Sequence, residues 1–113
     1  MKIMPSEIVS DVQRVLEDVC KKYPDTNPLI TAYQILDRLP KKLQNKLIEE
    51  RGYPGKDSGV FYASASLVSN AAEMIKDIEI KTLDISDMKL FCVNIEIKAG
   101  NPCVALYRIK TKE

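Results

Sequence analysis

The first long apolar stripe along the chain is helical. Ile8, Val12, Val15, Leu16 and Val19 recur at spacings of three and four, which puts them on one helix face. Pro5 suits the first helical position, where a missing N–H does no harm, and Glu7 suits the positive end of the helix dipole. Lys21 and Lys22 lie at the opposite end, and "YPDTNP" stops the helix. "LIT" then has room for one short strand. Thr31 is a good N-cap for "AYQILDRL", whose Ala32, Ile35, Leu36 and Leu39 share a face. Pro40 disfavours helical geometry at Leu39 and can open a new helix, so "PKKLQNKLIEER" reads as a separate one, with Leu43, Leu47 and Ile48 inward and Gly52 closing it.

"GYPGKDSG" is the most loop-like segment, holding three of the four glycines and Pro54. A fourth helical pattern follows in "YASASLVSNAAEMIKD". Ser64 is a plausible N-cap, although the helix can begin earlier. Leu67, Val68, Ala71, Met74 and Ile75 form its inward face, and Ser66, Ser69, Asn70, Glu73 and Asp77 lie on the other. After Asp77 the period changes to two. "IEIKT" reads as a strand, and "LFCVNIEIK" and "CVALYRIK" as a hairpin joined by "AGNP". Pairing Ile97 with Cys103 sets Ile95 against Ala105, Val93 against Tyr107 and Phe91 against Ile109, which gives one apolar sheet face. The expected fold is therefore α+β: about four N-terminal helices, then a C-terminal antiparallel hairpin or three-stranded sheet, in a single domain over 1–113.

Charge and cysteine content narrow the chemistry. Seventeen basic residues oppose sixteen acidic ones, which counts against tight nucleic-acid binding through charge alone; a site-specific dimer with a locally basic surface remains open. No histidine is present, which removes the usual base partner of a Ser or Cys nucleophile. Cys20, Cys92 and Cys103 are widely spaced, without a CxxC pair, so no zinc site is expected. The register above puts Cys92 and Cys103 on opposite faces, against a disulfide between them. "GYPGKDSG" lacks Walker A spacing. No catalytic constellation emerges: an active site would have to use Tyr53, Tyr62, Lys56 and nearby acids, and no cofactor is indicated. No run approaches a membrane span and the N-terminus turns polar early, so a cytoplasmic protein is expected.

The order of helix, short strand, helix, inserted helix, helix and hairpin resembles the winged helix-turn-helix family, over about Pro5 to Lys110. "LITAYQILDRL" is similar to its strand and positioning helix, and "SASLVSNAAEMIKDIEI" to its recognition helix running into the first wing strand. The departure is the insertion, about 40–61, where the family has a turn of three or four residues. The compact α+β outline is also similar to small bacterial proteins of the mobile integron gene-cassette type, a likeness that implies no activity.

The family resemblance implies a small regulator that binds double-stranded DNA as a homodimer, with Ser66, Ser69, Asn70 and Glu73 as base-reading candidates. Asn pairs bidentately with adenine, Ser donates or accepts, and a carboxylate accepts from cytosine. Arg38, Lys41, Lys42, Lys46, Lys56 and Arg108 are the phosphate-contact candidates. The ordinary alternatives are solvated helix faces. A protein partner is the second reading, through the small-residue helix face or through Val104 and Leu106 on the second face of the hairpin, and a small-ligand module is a third. Burial of the fourth helix on all sides would remove base reading.

Overall fold

The computed structural model describes residues 3–51, 62–92, 94–97 and 103–110. Among these described residues, four helices, α1 (Pro5–Lys22), α2 (Ala32–Arg38), α3 (Lys41–Arg51) and α4 (Tyr62–Glu73), come with five strands. These are β1 (Ile30–Thr31), β2 (Ile78–Asp84), β3 (Leu90–Cys92), β4 (Ile95–Ile97) and β5 (Cys103–Ile109). The architecture is α+β, with helices first and most of the strands last.

The periodicity of α1 is realised as expected: Ile8, Val12, Val15, Leu16 and Val19 are all buried. Pro5 begins the helix, the Met4 N–H donates to Glu7 Oε2 at 2.7 Å, and Lys21 and Lys22 occupy the last turn. At α2 the capping signal is complete. The Gln34 N–H donates to Thr31 Oγ1 at 3.1 Å, and the Thr31 N–H donates back to Gln34 Oε1 at 2.7 Å. Leu39, ahead of Pro40, is extended at φ −68 and ψ 155, so α2 ends there and α3 starts afresh at Lys41. The closing role of Gly52 and the whole of "GYPGKDSG", Lys56 included, lie outside the described residues.

The sheet order is β1-β5-β2, all antiparallel, with Tyr107 of β5 opposite Ile30 on one side and Ile80 on the other. Tyr107 and Ile30 are buried beneath the helices, where α1 packs on β5 and on α4, and α2 packs on α4. Ile30, Ile35, Leu36, Val68 and Tyr107 belong to one apolar cluster with the stripe of α1.

The hairpin expected between "LFCVNIEIK" and "CVALYRIK" is not formed. "LFCVNIEIK" is two strands: β3 turns back on β4, with Leu90 opposite Ile97 and Cys92 opposite Ile95. Asn94 stands between them in the left-handed region, φ 64, a conformation Asn tolerates better than most residues. The long partner of β5 is β2, over the seven pairs from Ile78–Ile109 to Asp84–Cys103. The physical reason is that alternation gives a strand two faces but does not choose its neighbour, and β2 offers a longer uninterrupted edge. The exchange also reverses the expected faces: Phe91 is 58% exposed, while Cys92 is buried and its thiol donates to the Tyr33 carbonyl at 3.3 Å. Cys20, Cys92 and Cys103 are not joined in a disulfide.

Candidate nucleic-acid interface

The composition of α4 follows from what surrounds it. Ser64, Ala65, Leu67, Val68, Ala71, Ala72 and Ile75 at its end are buried, and α4 packs against α1, α2 and α3. A helix enclosed by three others needs small residues where backbones approach, so most of its Ala content serves packing within the chain. Ser64 is not the N-cap: α4 begins at Tyr62, and the Ser64 hydroxyl, fully buried, donates to the Leu47 carbonyl of α3 at 3.5 Å. Met74, expected inward, is 55% exposed. There the helix tightens, with the N–H groups of Met74 and Ile75 bonded to the carbonyls of Ala71 and Ala72, which turns Met74 off the apolar stripe. Asp77, at φ 65, ends the run and delivers the chain into β2.

One face of α4 remains open. Ser66, Asn70 and Glu73 follow one another at i, i+4 and i+7, with Ser66 half-buried and the other two exposed. Ser69 lies at the margin of this stripe, and its hydroxyl is hydrogen-bonded to the Tyr107 phenol. Burial raises the pKa of that phenol; the Ser69 bond opposes the shift and the carboxylate of Glu73 adds to it. Ser69 is thus occupied within the fold, whereas Ser66, Asn70 and Glu73 present donors and acceptors outward.

The cations fall into two groups. Arg38, Lys41, Lys42 and Lys46 are exposed at the end of α2 and along α3, whose Gln44 and Leu47 are buried. Lys41 Nζ donates to Gln44 Oε1 at 3.4 Å, and among the described residues Arg38, Lys42 and Lys46 are in no ion pair. Of the nearby acids, Glu50 is used internally, its Oε2 accepting from the Ile3 N–H at 2.8 Å. The Ser64–Leu47 bond seats α3 against the first turn of α4.

Arg108 belongs to a different environment. Its Nε and Nη2 donate to Glu79 at 2.9 and 3.1 Å, and Nη1 donates to the Asn27 carbonyl at 3.2 Å. The fork holds the Glu79 carboxyl below its usual pKa, chiefly through the hydrogen bond, and the Arg108 value rises for the same reason. Arg108 therefore braces the sheet against the Asn27 turn. Val104 and Leu106 are half-buried, and Val104 packs on the core.

Pattern reading did not single out Gln44 or Asn27, and gave Tyr107 only a place on the apolar sheet face. Gln44 is buried and its Nε2 donates to the Leu36 carbonyl at 2.9 Å. Asn27, in left-handed backbone at φ 41, donates from Nδ2 to the Ile109 carbonyl at 2.8 Å. Gln44 stands beside Leu43 on the apolar side of α3, which is the only signal that pointed to it. Among the described residues, no group of His, Cys, Asp or Glu is arranged to hold a metal, and no helix is long and apolar enough to cross a membrane. No protein-family model, no curated protein and no solved structure matches the chain.

Proposed function

We propose that this protein binds double-stranded DNA without catalysing a reaction, with Ser66, Asn70 and Glu73 of α4 meeting base edges and Lys42 and Lys46 of α3 meeting phosphates. The observation that carries the reading is the division of α4: its apolar residues are enclosed by three helices, yet one continuous polar stripe stays accessible. Four exposed cations on the neighbouring elements support it. So does the direct passage from α4 through Asp77 into β2, which is the sequence of elements that the winged helix-turn-helix resemblance implies. Ser69 and Arg108 are assigned structural roles.

Fluorescence anisotropy with a labelled random-sequence duplex, at two salt concentrations, tests the proposal. Binding is expected at the lower salt, falling steeply at the higher, because displaced counterions supply the affinity. Replacing Lys42 and Lys46 by Ala lowers the slope of log affinity against log salt by about 0.9 for each phosphate that is no longer neutralised. Asn70→Ala instead reduces the preference among selected sites by about 1–3 kcal/mol. Absence of binding at the lower salt overturns the assignment.

A protein partner is the second reading, favoured by the side chains of Met88 and Phe91, 51% and 58% exposed at the start of β3. A Phe91→Ser variant separates the two, since it leaves the DNA surface intact.

A further inference from the structure

We infer that the free edge of β2 pairs with the same edge of a second copy, antiparallel and centred on Ile80, to make one continuous six-stranded sheet. The inference is independent of DNA binding. With the order β1-β5-β2, β2 is a terminal strand of seven residues, and among the described residues its only strand partner is β5. Edges of this length are usually blunted by bulges, proline or covering elements, because their unpaired N–H and C=O groups are a template for another strand. Here the pairing with β5 runs without a bulge, the strand contains no proline, and Ile80, Lys81, Thr82 and Asp84 are all exposed. Ile80 is 42% exposed although it lies on the helix-side face, directly opposite the buried Tyr107.

The strand "IEIKTLD", Ile78 to Asp84, reads as its own partner. A two-fold axis perpendicular to the sheet keeps the helix-side residues of both copies on one face, which leaves Glu79, Ile80 or Lys81 as the central residue. Centring on Glu79 or on Lys81 stacks a like-charged pair on the axis, which is unfavourable. Centring on Ile80 sets Ile80 against Ile80, Ile78 against Thr82 and Glu79 against Lys81, all within β2. Each charged residue of these pairs then faces its opposite. Lys81 already lies 3.8 Å from Glu79 of its own chain, and Glu79 keeps its Arg108 fork, so the inter-copy charges extend an existing network. The contact is isologous and closes at two copies, which separates it from open-ended edge aggregation.

Light scattering across a concentration series is the first test. The mass is expected to rise from that of one 12.8 kDa chain towards twice that value as concentration increases. Ile80→Lys keeps the chain monomeric throughout, with an unchanged urea midpoint showing that the fold survives. The register is tested in a Cys20→Ser/Cys103→Ser background. Opposed residues of an antiparallel pair have Cα atoms about 4.5–5.5 Å apart, within disulfide reach. Ile80→Cys is therefore expected to form a disulfide-linked dimer on mild oxidation, and Lys81→Cys, displaced from the axis, far less of it. A wild-type chain that stays monomeric at every concentration overturns the inference, as does equal cross-linking of the two cysteine variants.

Discussion

The Ser69 hydroxyl on α4 is hydrogen-bonded to the phenol of Tyr107 on β5, tying the helix with the open polar stripe to the central strand of the sheet. Tyr107 is almost wholly buried, so its phenol has few other partners. Tyr107→Phe is expected to lower stability by about 0.5–1.5 kcal/mol, the net worth of one hydrogen bond. Ser69→Ala should match it, and the double variant should cost little more than either, since both remove the same bond. Urea unfolding of the four chains checks this. Asn70→Ala, on the exposed stripe, should stay within about 0.5 kcal/mol of the parent.

Gln44 joins α3 to α2. Its buried amide donates to the Leu36 carbonyl near the end of α2, where Leu39 N–H, at 3.3 Å, is a weaker second donor. Gln44→Leu keeps the volume and withdraws the amide, with an expected cost of about 1–3 kcal/mol. The exposed Lys46→Ala on the same helix should remain within about 0.5 kcal/mol. Thermal unfolding followed by circular dichroism distinguishes them.

Cys92 has an alkaline signature. Burial, helped by the negative charge of Asp37, pushes its thiol up to about 12 from an ordinary 9.0. The folded chain therefore holds its proton where the unfolded chain has lost it. The sign follows: the contribution is fully present below pH 9 and declines as pH rises from there towards 12. Lysines and tyrosines titrate in the same range, so the measurement is a difference. Urea midpoints of wild type and Cys92→Ala from pH 7.5 to 10.5 should converge above pH 9. A constant gap between them would contradict the burial of the thiol. The thiol's bond to the Tyr33 carbonyl disappears with the proton, in the same direction.

The legible parts of the fold were those that one stretch of chain decides. The α1 stripe, the Thr31 cap with Gln34, and the break at Leu39–Pro40 follow from side-chain spacing and backbone sterics within a few residues. The polar stripe of Ser66, Asn70 and Glu73 was legible for the same reason. Ser64 shows the limit. A serine near a helix start is a good cap by local chemistry, but in this chain α3 packs beside it and its hydroxyl is used between helices. Ser69 and Arg108 were plausible ligand contacts until Tyr107 and Glu79, far away in sequence, were placed beside them.

By itself, then, the sequence determined the type of the described helices, most of their inward faces, the Thr31 cap, and the change to strand period after Asp77, because each depends on interactions spanning a turn or a pleat. The tertiary structure alone decided which strand β5 pairs with, that "LFCVNIEIK" folds back on itself at Asn94, that Phe91 faces out and Cys92 in, and which polar side chains stay exposed. Alternation is the same for every candidate neighbour of a strand. Only competition among all the available edges and apolar faces selects one arrangement.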